Sequence, residues 1–332
     1  MKAAMRDRYG PPEVVEIRDV DRPKPSADQV LVRVHAASVN RADLDGLYPR
    51  WQLTRLFLGL RKPRMPHLGL DVAGVVEAVG PNVTRFQPGD QVFADLFLFG
   101  QSAFAEYVCA SEKAFLPIPT GMSFEEAATL PHSAVLAVQG LRSGGGRTVK
   151  AGDKVLVVGA SGNVGPFVVQ IAKAMGAEVS GVASTAKLDF VRSLGADHVI
   201  DYTTTDYTRT GPYDWIVDVD AHQGILGWRR ALRPKGVYVA MGGPGSWILQ
   251  ALFVGPIASL ATGKRMGLLL GWKPFKPEDV ETLERLIADG KLKPVIDRRF
   301  PLSQVVDALR YVDDGHPKGK VVINVSDEMP SR

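Results

Sequence analysis

Residues 155–201 read VLVVGASGNVGPFVVQIAKAMGAEVSGVASTAKLDFVRSLGADHVID, and this stretch decides the fold. It opens with a short apolar run, as expected for a strand that is buried on both faces. A glycine-rich turn follows from Gly159 to Gly165, the next residues have the apolar spacing of a helix, and Gly176 is placed to end that helix. A second strand, a helix and a third strand come next. This order predicts a parallel α/β unit.

The glycine turn has the features of a dinucleotide-binding site. Between a buried strand and a helix, glycines let the backbone approach a pyrophosphate, and the helix N-terminus offers N–H groups and a positive dipole end. Glycines alone are weak evidence in a chain that has 34 of them, so the prediction depends on the strand–turn–helix–strand order. The alternative is a tight turn that only packs the helix on the sheet. We predict pyrophosphate contacts from Gly159, Ser161, Gly162, Asn163, Val164 and Gly165.

The end of the second strand favours NADPH over NADH. NAD-binding turns place an Asp or Glu about 20 residues further on, at the end of this strand, where it holds the ribose 2′-hydroxyl. Here the strand ends in Ala183-Ser184-Thr185-Ala186-Lys187, which contains no acid. Hydroxyls and a lysine can instead surround a 2′-phosphate, which a carboxylate would repel. We therefore predict that Ser184 and Lys187 bind this phosphate; a helix N-cap at Ser184 or Thr185 is the alternative.

The composition is that of a globular protein with room for two domains. The chain has 332 residues, of which 45% are hydrophobic and 23% are charged. The net charge of +4 is weak evidence for nucleic-acid binding and is compatible with a polyanionic cofactor. The single cysteine, Cys109, excludes a disulfide within the chain and a structural zinc site built from several thiolates. Residues 1–20 lack the apolar core of a signal peptide, so a cytoplasmic location is the expectation.

One stretch without charges, between Lys235 and Lys264, requires a check against a membrane span. A spanning helix needs about 20 apolar residues, whereas glycines and prolines interrupt this stretch. We predict a buried strand followed by a segment that contacts the substrate or a second subunit, and no membrane span.

The chain has two successive patterns of predicted secondary structure. Short strands between Gly and Pro turns fill the first ~120 residues, which indicates a β-rich, partly closed barrel. From there the pattern is α/β, with a helix predicted over residues 225–232 among others, and the final strand, 320–325, is expected to return to the first domain. We predict a β-rich catalytic domain and a doubly wound parallel-sheet (Rossmann) nucleotide domain, with residues 1–123 and 294–332 in the first and 124–293 in the second.

Further motifs are spread along the whole chain: Ser38-Val-Asn40-Arg-Ala-Asp43, Leu68-Gly-Leu-Asp71, Pro88-Gly-Asp90, Phe104-Ala-Glu106, Ala151-Gly-Asp153, Gly195-Ala-Asp197-His-Val-Ile-Asp201-Tyr202 and Gly319-Lys320-Val. Together they resemble the medium-chain dehydrogenases/reductases, and within them the zinc-independent quinone oxidoreductase-like branch. The resemblance implies a barrel-like catalytic domain, made by the N-terminal part and the C-terminal tail, with a doubly wound nucleotide domain. It also implies a homo-oligomer, for which we expect a homodimer.

The resemblance also addresses zinc. Zinc alcohol dehydrogenases of this superfamily place a Cys where this chain has Asn40, and Gly-His-Glu where it has Gly69-Leu70-Asp71. Asn40 and Leu70 are not credible zinc ligands in that role. The lobe with four cysteines is absent as well, since residues 95–106 contain none. We expect a surface or packing role for His67 and a packing role for His132, and we predict no metal site.

Without a Lewis acid, conjugated acceptors are easier to reduce than simple ketones, because the charge spreads to an oxygen that hydrogen-bond donors can hold. The resemblance therefore implies an enzyme that uses NADPH to reduce a quinone or an α,β-unsaturated carbonyl. By the same resemblance, Asn40 orients the substrate or the nicotinamide. Asp43 orients its neighbours or caps the next helix. Tyr48 donates its hydroxyl to the developing oxyanion or packs under the segment of residues 50–64.

The resemblance implies further cofactor contacts. Tyr202 would contact the adenosine phosphate or cover the end of its strand, and Gly242 and Gly243 would lie near the nicotinamide. Lys320 would be a cofactor contact or a partner in a surface salt bridge. The sequence departs from the family in the segment from Tyr48 to His67, which is longer and more basic and is predicted to form a helical lid.

Two alternatives remain open. One is a zinc-free alcohol dehydrogenase or aldehyde reductase. The other is a non-catalytic NADPH-binding protein that binds RNA or a protein partner through the basic and aromatic residues of 50–64. An amphipathic helix with a solvated basic face is favoured for that segment, so nucleic-acid binding is not expected.

Overall fold

The structure is a computed structural model that describes residues 1–49, 55–142, 146–269 and 272–325. It divides into two compact units: a first unit of Met1–His132 and Pro294–Arg332, and a second unit of Ser133–Lys293. The chain leaves the first unit at His132 rather than at residue 123, because the helix Phe124–Thr129 packs against strands of the first unit.

Strands dominate the first unit, and strands alternate with helices in the second. The strands are β1 (Lys2–Met5), β2 (Glu16–Asp19), β3 (Gln29–Val39), β4 (Asp71–Val79), β5 (Gln91–Asp95), β6 (Tyr107–Ser111), β7 (Phe115–Pro117), β8 (Lys154–Val158), β9 (Glu178–Ala183), β10 (His198–Asp201), β11 (Tyr213–Asp218), β12 (Leu232–Ala240), β13 (Arg265–Leu268), β14 (Ile296–Pro301) and β15 (Lys320–Asn324). The helices are α1 (Arg41–Leu47), α2 (Arg55–Leu58), α3 (Phe124–Thr129), α4 (Pro131–Gly140), α5 (Gly165–Ala174), α6 (Leu188–Ser193), α7 (Gly245–Leu249), α8 (Gly255–Thr262), α9 (Pro277–Ala288) and α10 (Val305–Asp313).

The first unit is built on a mixed sheet around β3, an 11-residue strand that is buried along most of its length. The strand order is β14-β15-β3-β4-β5-β7, and β6 pairs with the first half of β3. The valine-rich sequence of β3 suits a strand that is covered on both faces. Strand β15 runs antiparallel to β3, so the C-terminal strand returns to the first unit as the sequence predicts.

The second unit contains a six-stranded sheet in the order β10-β9-β8-β11-β12-β13, and all its pairs are parallel. The chain moves outward from β8 to β10 and then crosses back to place β11 on the other side of β8. This doubly wound order brings the carboxyl ends of the strands to one edge, and the strand order reverses between β8 and β11. The predicted Rossmann fold is confirmed.

The helix predicted over residues 225–232 is wrong. Residues Ile225–Arg229 form a short 3₁₀ turn, and β12 already begins at Leu232. Gly227 lies inside the turn, where glycine disfavours an α-helix, and the early start of β12 leaves no length for one.

The stretch without charges contains most of β12 and a helical run from Gly245 to Thr262 that includes a π turn at Gln250–Val254. Within the described ranges, no helix has the length and apolar character that a membrane crossing requires. Residues 50–54 of the predicted lid lie outside the described part of the chain, and the described remainder includes the single-turn helix α2.

Candidate active site

Four neighbouring strands of the first unit bring their ends to one edge of the sheet. The pairing joins Val39 of β3 to Val321 of β15, Ser38 to Asp71 of β4, and Asp71 to Asp95 of β5. Because paired residues lie opposite each other, this register places the starts of β15 and β4 beside the ends of β3 and β5. Polar residues from distant parts of the sequence thereby meet inside the unit.

A buried carboxylate, Asp71, lies at the centre of this meeting point. Its Oδ2 accepts hydrogen bonds from Ser38 Oγ at 3.0 Å, Asn40 Nδ2 at 2.8 Å and Lys320 Nζ at 3.3 Å. Its Oδ1 accepts from the backbone N–H of His132 at 3.0 Å. Lys320 Nζ also donates to Asn40 Oδ1 at 2.6 Å. All five residues are buried, so these bonds satisfy a charge pair that is shielded from water.

Two further acids adjoin Asp71. Asp95 Oδ2 lies 2.9 Å from His132 Nδ1, and Asp95 Oδ1 accepts the backbone N–H of Phe97 at 2.8 Å. Asp43 Oδ2 accepts the backbone N–H of Asn40 at 2.7 Å and so fixes the start of α1. We define the polar cluster as the residues Asn40, Asp43, Asp71, Asp95, His132 and Lys320.

Burial governs the protonation of the polar cluster. It raises the pKa of Asp43 to about 7, and it raises the pKa of Asp71 against the opposing effect of the Lys320 ammonium. Burial also lowers the pKa of Lys320, while Asp71 opposes this change. For His132, burial lowers the pKa, but the carboxylates of Asp95 and Asp71 outweigh it and the net shift is upward. Asp43 therefore retains its proton at a higher pH than an isolated carboxyl group would, whereas Asp71 faces the Lys320 ammonium as its counter-ion.

The donor set of the polar cluster does not fit a catalytic zinc ion. Asn40 offers an amide whose two polar atoms are bonded within the cluster, and Leu70 is an apolar, buried side chain. The Lys320 ammonium would also repel a dication. In the part of the chain that the structure describes, no group of three or more His, Cys, Asp or Glu side chains is arranged to hold a metal ion. The metal-free reaction stays a prediction.

In the second unit, the glycine turn connects the end of β8 to the start of α5, where the strand order reverses. Gly159 has a φ of 77°, which favours glycine. At Gly165, a Cβ atom would lie 2.1 Å from the carbonyl oxygen of Gly159, too close for any side chain. At Gly162, the nearest atom is the same oxygen at 3.7 Å, which is an ordinary contact. The fold therefore requires glycine at positions 159 and 165 but leaves room for a side chain at 162.

This division of roles fits a bound dinucleotide. In such turns one glycine makes the tight turn, one lets a pyrophosphate approach the backbone, and one packs the helix against the strand. Gly162 can be the glycine that lets a pyrophosphate approach the backbone, because no atom of the described residues lies closer than 3.7 Å to a Cβ atom at this position. Ser161 and Val164 are buried in the same turn, and Asn163 lies between Gly162 and Val164. Helix α5 begins directly after Val164, so the positive end of its dipole faces the turn.

The other predicted cofactor residues of the second unit follow the carboxyl ends of its strands. Ser184 comes directly after β9 and precedes the 3₁₀ turn Thr185–Lys187, but its hydroxyl makes no capping hydrogen bond. Tyr202 follows β10 and is exposed. Gly242 and Gly243 follow β12, and a Cβ atom at Gly243 would lie 2.8 Å from the carbonyl oxygen of Ala221. The structure thus brings these residues to the same sheet edge as the glycine turn.

The sequence argument missed an acid beside Ser184. Asp201 ends β10, pairs in register with Ala183, and accepts hydrogen bonds from the hydroxyls of Thr185 and Thr203. These hydroxyls lower the pKa of Asp201, so the carboxylate is ionised at neutral pH. The signal was present, because the third strand of the unit was predicted to end at this aspartate.

Lys320 and Tyr48 each have two predicted roles, and the structure excludes one of these roles for Lys320 only. Lys320 is 1% exposed, so the reading as a surface salt bridge is wrong: the start of β15 carries the ammonium into the first unit's interior. Tyr48 packs on the hydrophobic core of the first unit, and burial together with Asp313 raises the pKa of its hydroxyl. Neither contact joins Tyr48 to the polar cluster, and its role as a donor to substrate stays a prediction.

The sequence argument also missed two members of the cluster. Asp95 ends β5 directly after three buried apolar residues, and Asp71 begins β4 directly before two buried apolar residues. A charged residue at the end of a buried strand is a signal for a buried polar site, because burying an unpaired charge is costly. His132, for which a packing role was expected, is the partner of Asp95.

Comparison with known proteins identifies the family. The model of the alcohol dehydrogenase GroES-like domain matches residues 26–120, and that of the zinc-binding dehydrogenase matches residues 194–323. The mitochondrial NAD(P)H oxidoreductase RTN4IP1 of Mus musculus is 33% identical over 98% of this chain and 89% of its own length. The chloroplastic NADPH-dependent alkenal/one oxidoreductase of Arabidopsis thaliana is 33% identical over 97% of this chain and 79% of its own.

Among solved structures, the quinone oxidoreductase from Coxiella burnetii superposes with a TM-score of 0.87 at 31% identity. That match covers 98% of this chain and 99% of the other. The matches run through both units, and they agree with the doubly wound sheet and the mixed β-rich sheet described above. The chain belongs to the medium-chain dehydrogenase/reductase superfamily, with quinone oxidoreductase-like relatives along its full length.

Proposed function

We propose that the protein is an NADPH-dependent reductase of quinones or α,β-unsaturated carbonyls that works without a metal ion. The observation that carries the proposal is the polar cluster, in which a lysine ammonium and an asparagine amide occupy the buried centre of the first unit. The glycine turn supports it, because its geometry fits a dinucleotide. The relatives support it too, since their names include an NAD(P)H oxidoreductase, an alkenal/one oxidoreductase and a quinone oxidoreductase.

Bound NADPH supplies a hydride, and the protein supplies position and hydrogen bonds. A conjugated acceptor suits such a site, because the charge that develops on its oxygen can be held by hydrogen-bond donors rather than by a Lewis acid. Asn40 is the residue that we assign to orient the substrate or the nicotinamide, and Asp43 holds the backbone of Asn40 in place. Water is sufficient as the source of the proton that completes the reduction.

Kinetic assays with a panel of acceptors test the proposal. The oxidation of NADPH is followed with a benzoquinone, a naphthoquinone, an alkenal, an enone and a saturated aldehyde, with EDTA present in one series and absent in the other. We expect turnover with the conjugated acceptors that EDTA does not change. Activity with the saturated aldehyde alone would favour the aldehyde reductase alternative, and loss of activity with EDTA would contradict the metal-free reaction.

For the cofactor, we propose a preference for NADPH. Ser184 and Lys187 follow β9, at the place where an acid would select NADH, and they support binding of a 2′-phosphate. The carboxylate of Asp201 opposes this preference from the neighbouring strand.

Substitutions of these charges give opposite results. Lys187→Ala is expected to lower the ratio of kcat/KM for NADPH to that for NADH roughly tenfold, the usual cost of one charge-assisted hydrogen bond. Asp201→Asn is expected to raise the same ratio. Lys150→Ala, at an exposed lysine of the second unit, is the matched control and should leave it unchanged. A wild type that prefers NADH would contradict the assignment.

We further propose a homodimer that forms through the second unit. The helical run Gly245–Thr262 exposes Phe253, Ile257 and Leu260, the last at 90%, and its α8 part packs on β13, the final strand in the sheet order. Apolar side chains grouped beside a sheet edge are typical of a subunit contact. Light scattering should give the mass of a dimer for the wild type and of a monomer for Leu260→Asp. A monomeric wild type would contradict the proposal.

A further inference from the structure

The two polar atoms of the Asn40 side chain have different partners, and these partners identify them. A lysine ammonium has three donors and no acceptor, so the Asn40 atom 2.6 Å from Lys320 Nζ must be the carbonyl oxygen. An ionised carboxylate only accepts, so the Asn40 atom 2.8 Å from Asp71 Oδ2 must be the amide nitrogen. Together the two charges allow one orientation of the amide, and a flip would oppose oxygen to carboxylate and N–H to ammonium.

The backbone around Lys320 places its side chain in the interior. Gly319 has a φ of 109°, and a Cβ atom there would lie 2.4 Å from the carbonyl oxygen of Val295. The backbone N–H of Lys320 donates to the same oxygen at 2.8 Å. The close approach of these two chain segments requires a glycine before the lysine and leaves Lys320 1% exposed. The backbone conformation of Gly319 therefore places the Lys320 ammonium next to the side chain of Asn40.

Stability alone gives a poor account of this arrangement. Replacing a buried ion pair with apolar residues is often neutral or stabilising, because desolvation of two charges offsets their attraction. The pair does something that apolar residues could not do, since a pure donor on one side and a pure acceptor on the other distinguish the two ends of the Asn40 amide. The side chain that they orient is the one assigned to the substrate or nicotinamide.

We propose that Lys320 is a positioning residue for the proposed reduction: with Asp71 as its counter-ion, it holds the side-chain amide of Asn40 in a single orientation. The inference rests on the proposed function for its kinetic consequence, but the orientation of Asn40 is testable without turnover. Lys320 acts through Asn40, so its removal should lower kcat and leave the affinity for NADPH, which the second unit provides, unchanged.

The test uses a variant that removes both charges together. Lys320→Met with Asp71→Asn leaves no uncompensated charge in the interior. The amide oxygen of Asn at position 71 can still accept the N–H of His132, and its NH₂ group can donate to the hydroxyl of Ser38. Lys318→Met is the matched control, because Lys318 is exposed and two positions away. Circular dichroism and thermal unfolding establish that each variant is folded.

Two readouts separate positioning from a structural role. The first is the split between kcat with a conjugated acceptor, expected to fall roughly 10- to 100-fold in the double variant, and the NADPH dissociation constant, expected to stay within about twofold. The second is the hydrogen exchange of the Asn40 side-chain amide, followed by NMR, which should be slow in the wild type and in Lys318→Met and faster in the double variant.

The outcomes are distinct. A folded double variant with wild-type kcat, or with unchanged exchange at the Asn40 amide, would overturn the proposal. A parallel loss of kcat, NADPH affinity and thermal stability would also overturn it, in favour of a structural role. If the wild type turns over no acceptor, the proposed function fails by itself, and the exchange measurement still decides whether Lys320 orients Asn40.

Discussion

The glycine turn of the second unit and the polar cluster of the first are organised in opposite ways. The turn lies within one short stretch, Gly159–Gly165, and its form follows from the backbone conformation and close packing of its glycines. The cluster joins residues as far apart as Asn40 and Lys320, which are separated by 280 positions. A local site of this kind is visible in the sequence, whereas a distributed site appears only once the strand register is known.

The two regions also differ in how they treat charge. The turn offers neutral N–H groups, so the charge that it would bind comes with the ligand. The cluster contains both signs of charge and compensates them internally, through Asp71 with Lys320 and Asp95 with His132. A substitution in the cluster should therefore act first on the stability of the protein, and a substitution at the open position of the turn should act first on the ligand.

The largest effect is expected from Asp71→Asn. This change leaves the Lys320 ammonium buried without its counter-ion, and we expect the free energy of unfolding to fall by about 3–5 kcal/mol. Urea denaturation measures it. Glu77→Gln is the matched control: Glu77 lies on the same strand, but its ion pair with Arg22 is exposed, so the cost should be at most about 1 kcal/mol. Equal losses in the two variants would show that the cluster is not the tightly compensated site described here.

The next effect separates two glycines of the turn. Gly165→Ala places a methyl group against the backbone of Gly159 and Ala160, and we expect a loss of stability of about 1–3 kcal/mol, as for other overpacked sites. Gly162→Ala meets no close atom in the protein and should change stability by less than about 0.5 kcal/mol. It should nevertheless weaken NADPH binding roughly 10- to 100-fold, if the methyl group displaces one hydrogen bond to the pyrophosphate.

Thermal unfolding and fluorescence titration with NADPH measure the two quantities. If Gly162→Ala unfolded as easily as Gly165→Ala, glycine at position 162 would be needed for folding. The contrast between a turn that is open to a ligand and a cluster that stabilises the fold would then be wrong. If Gly162→Ala left the affinity for NADPH unchanged, the pyrophosphate would not lie against Gly162.

The same contrast explains what the sequence could predict. The Rossmann unit was predictable because strand, glycine turn and helix are encoded by neighbouring residues, and the return of β15 followed from its place at the end of the chain. The helix expected over residues 225–232 was wrong because local apolar spacing does not show where β12 begins. The prediction of a surface salt bridge for Lys320 was wrong, because no neighbouring residue in the sequence indicates that the backbone at Gly319 turns the Lys320 side chain into the interior.

The last effect concerns the dependence of stability on pH, and it compares one buried carboxyl group from each unit. Burial raises the pKa of Asp43 in the first unit and of Asp218 in the second to about 7, from an ordinary value of 3.8. Between about pH 4 and 7 each folded unit holds a proton that the unfolded chain releases. The contribution of each group to stability is therefore fully present below about pH 4 and is lost as the pH rises to 7, with a slope of at most about 1.4 kcal/mol per pH unit.

Asp43→Asn and Asp218→Asn remove these contributions one at a time. In each case we expect the stability of the variant relative to the wild type to rise with pH between about 4 and 7 and to be constant above. Native-state hydrogen exchange reads the two units separately. Asp218 has Tyr238 as its partner, whereas Asp43 has the cations Lys320 and His132 nearby, which oppose the effect of burial. A slope in the second unit without one in the first would mean that the charges of the polar cluster compensate Asp43 fully, and equal slopes would mean that burial outweighs them.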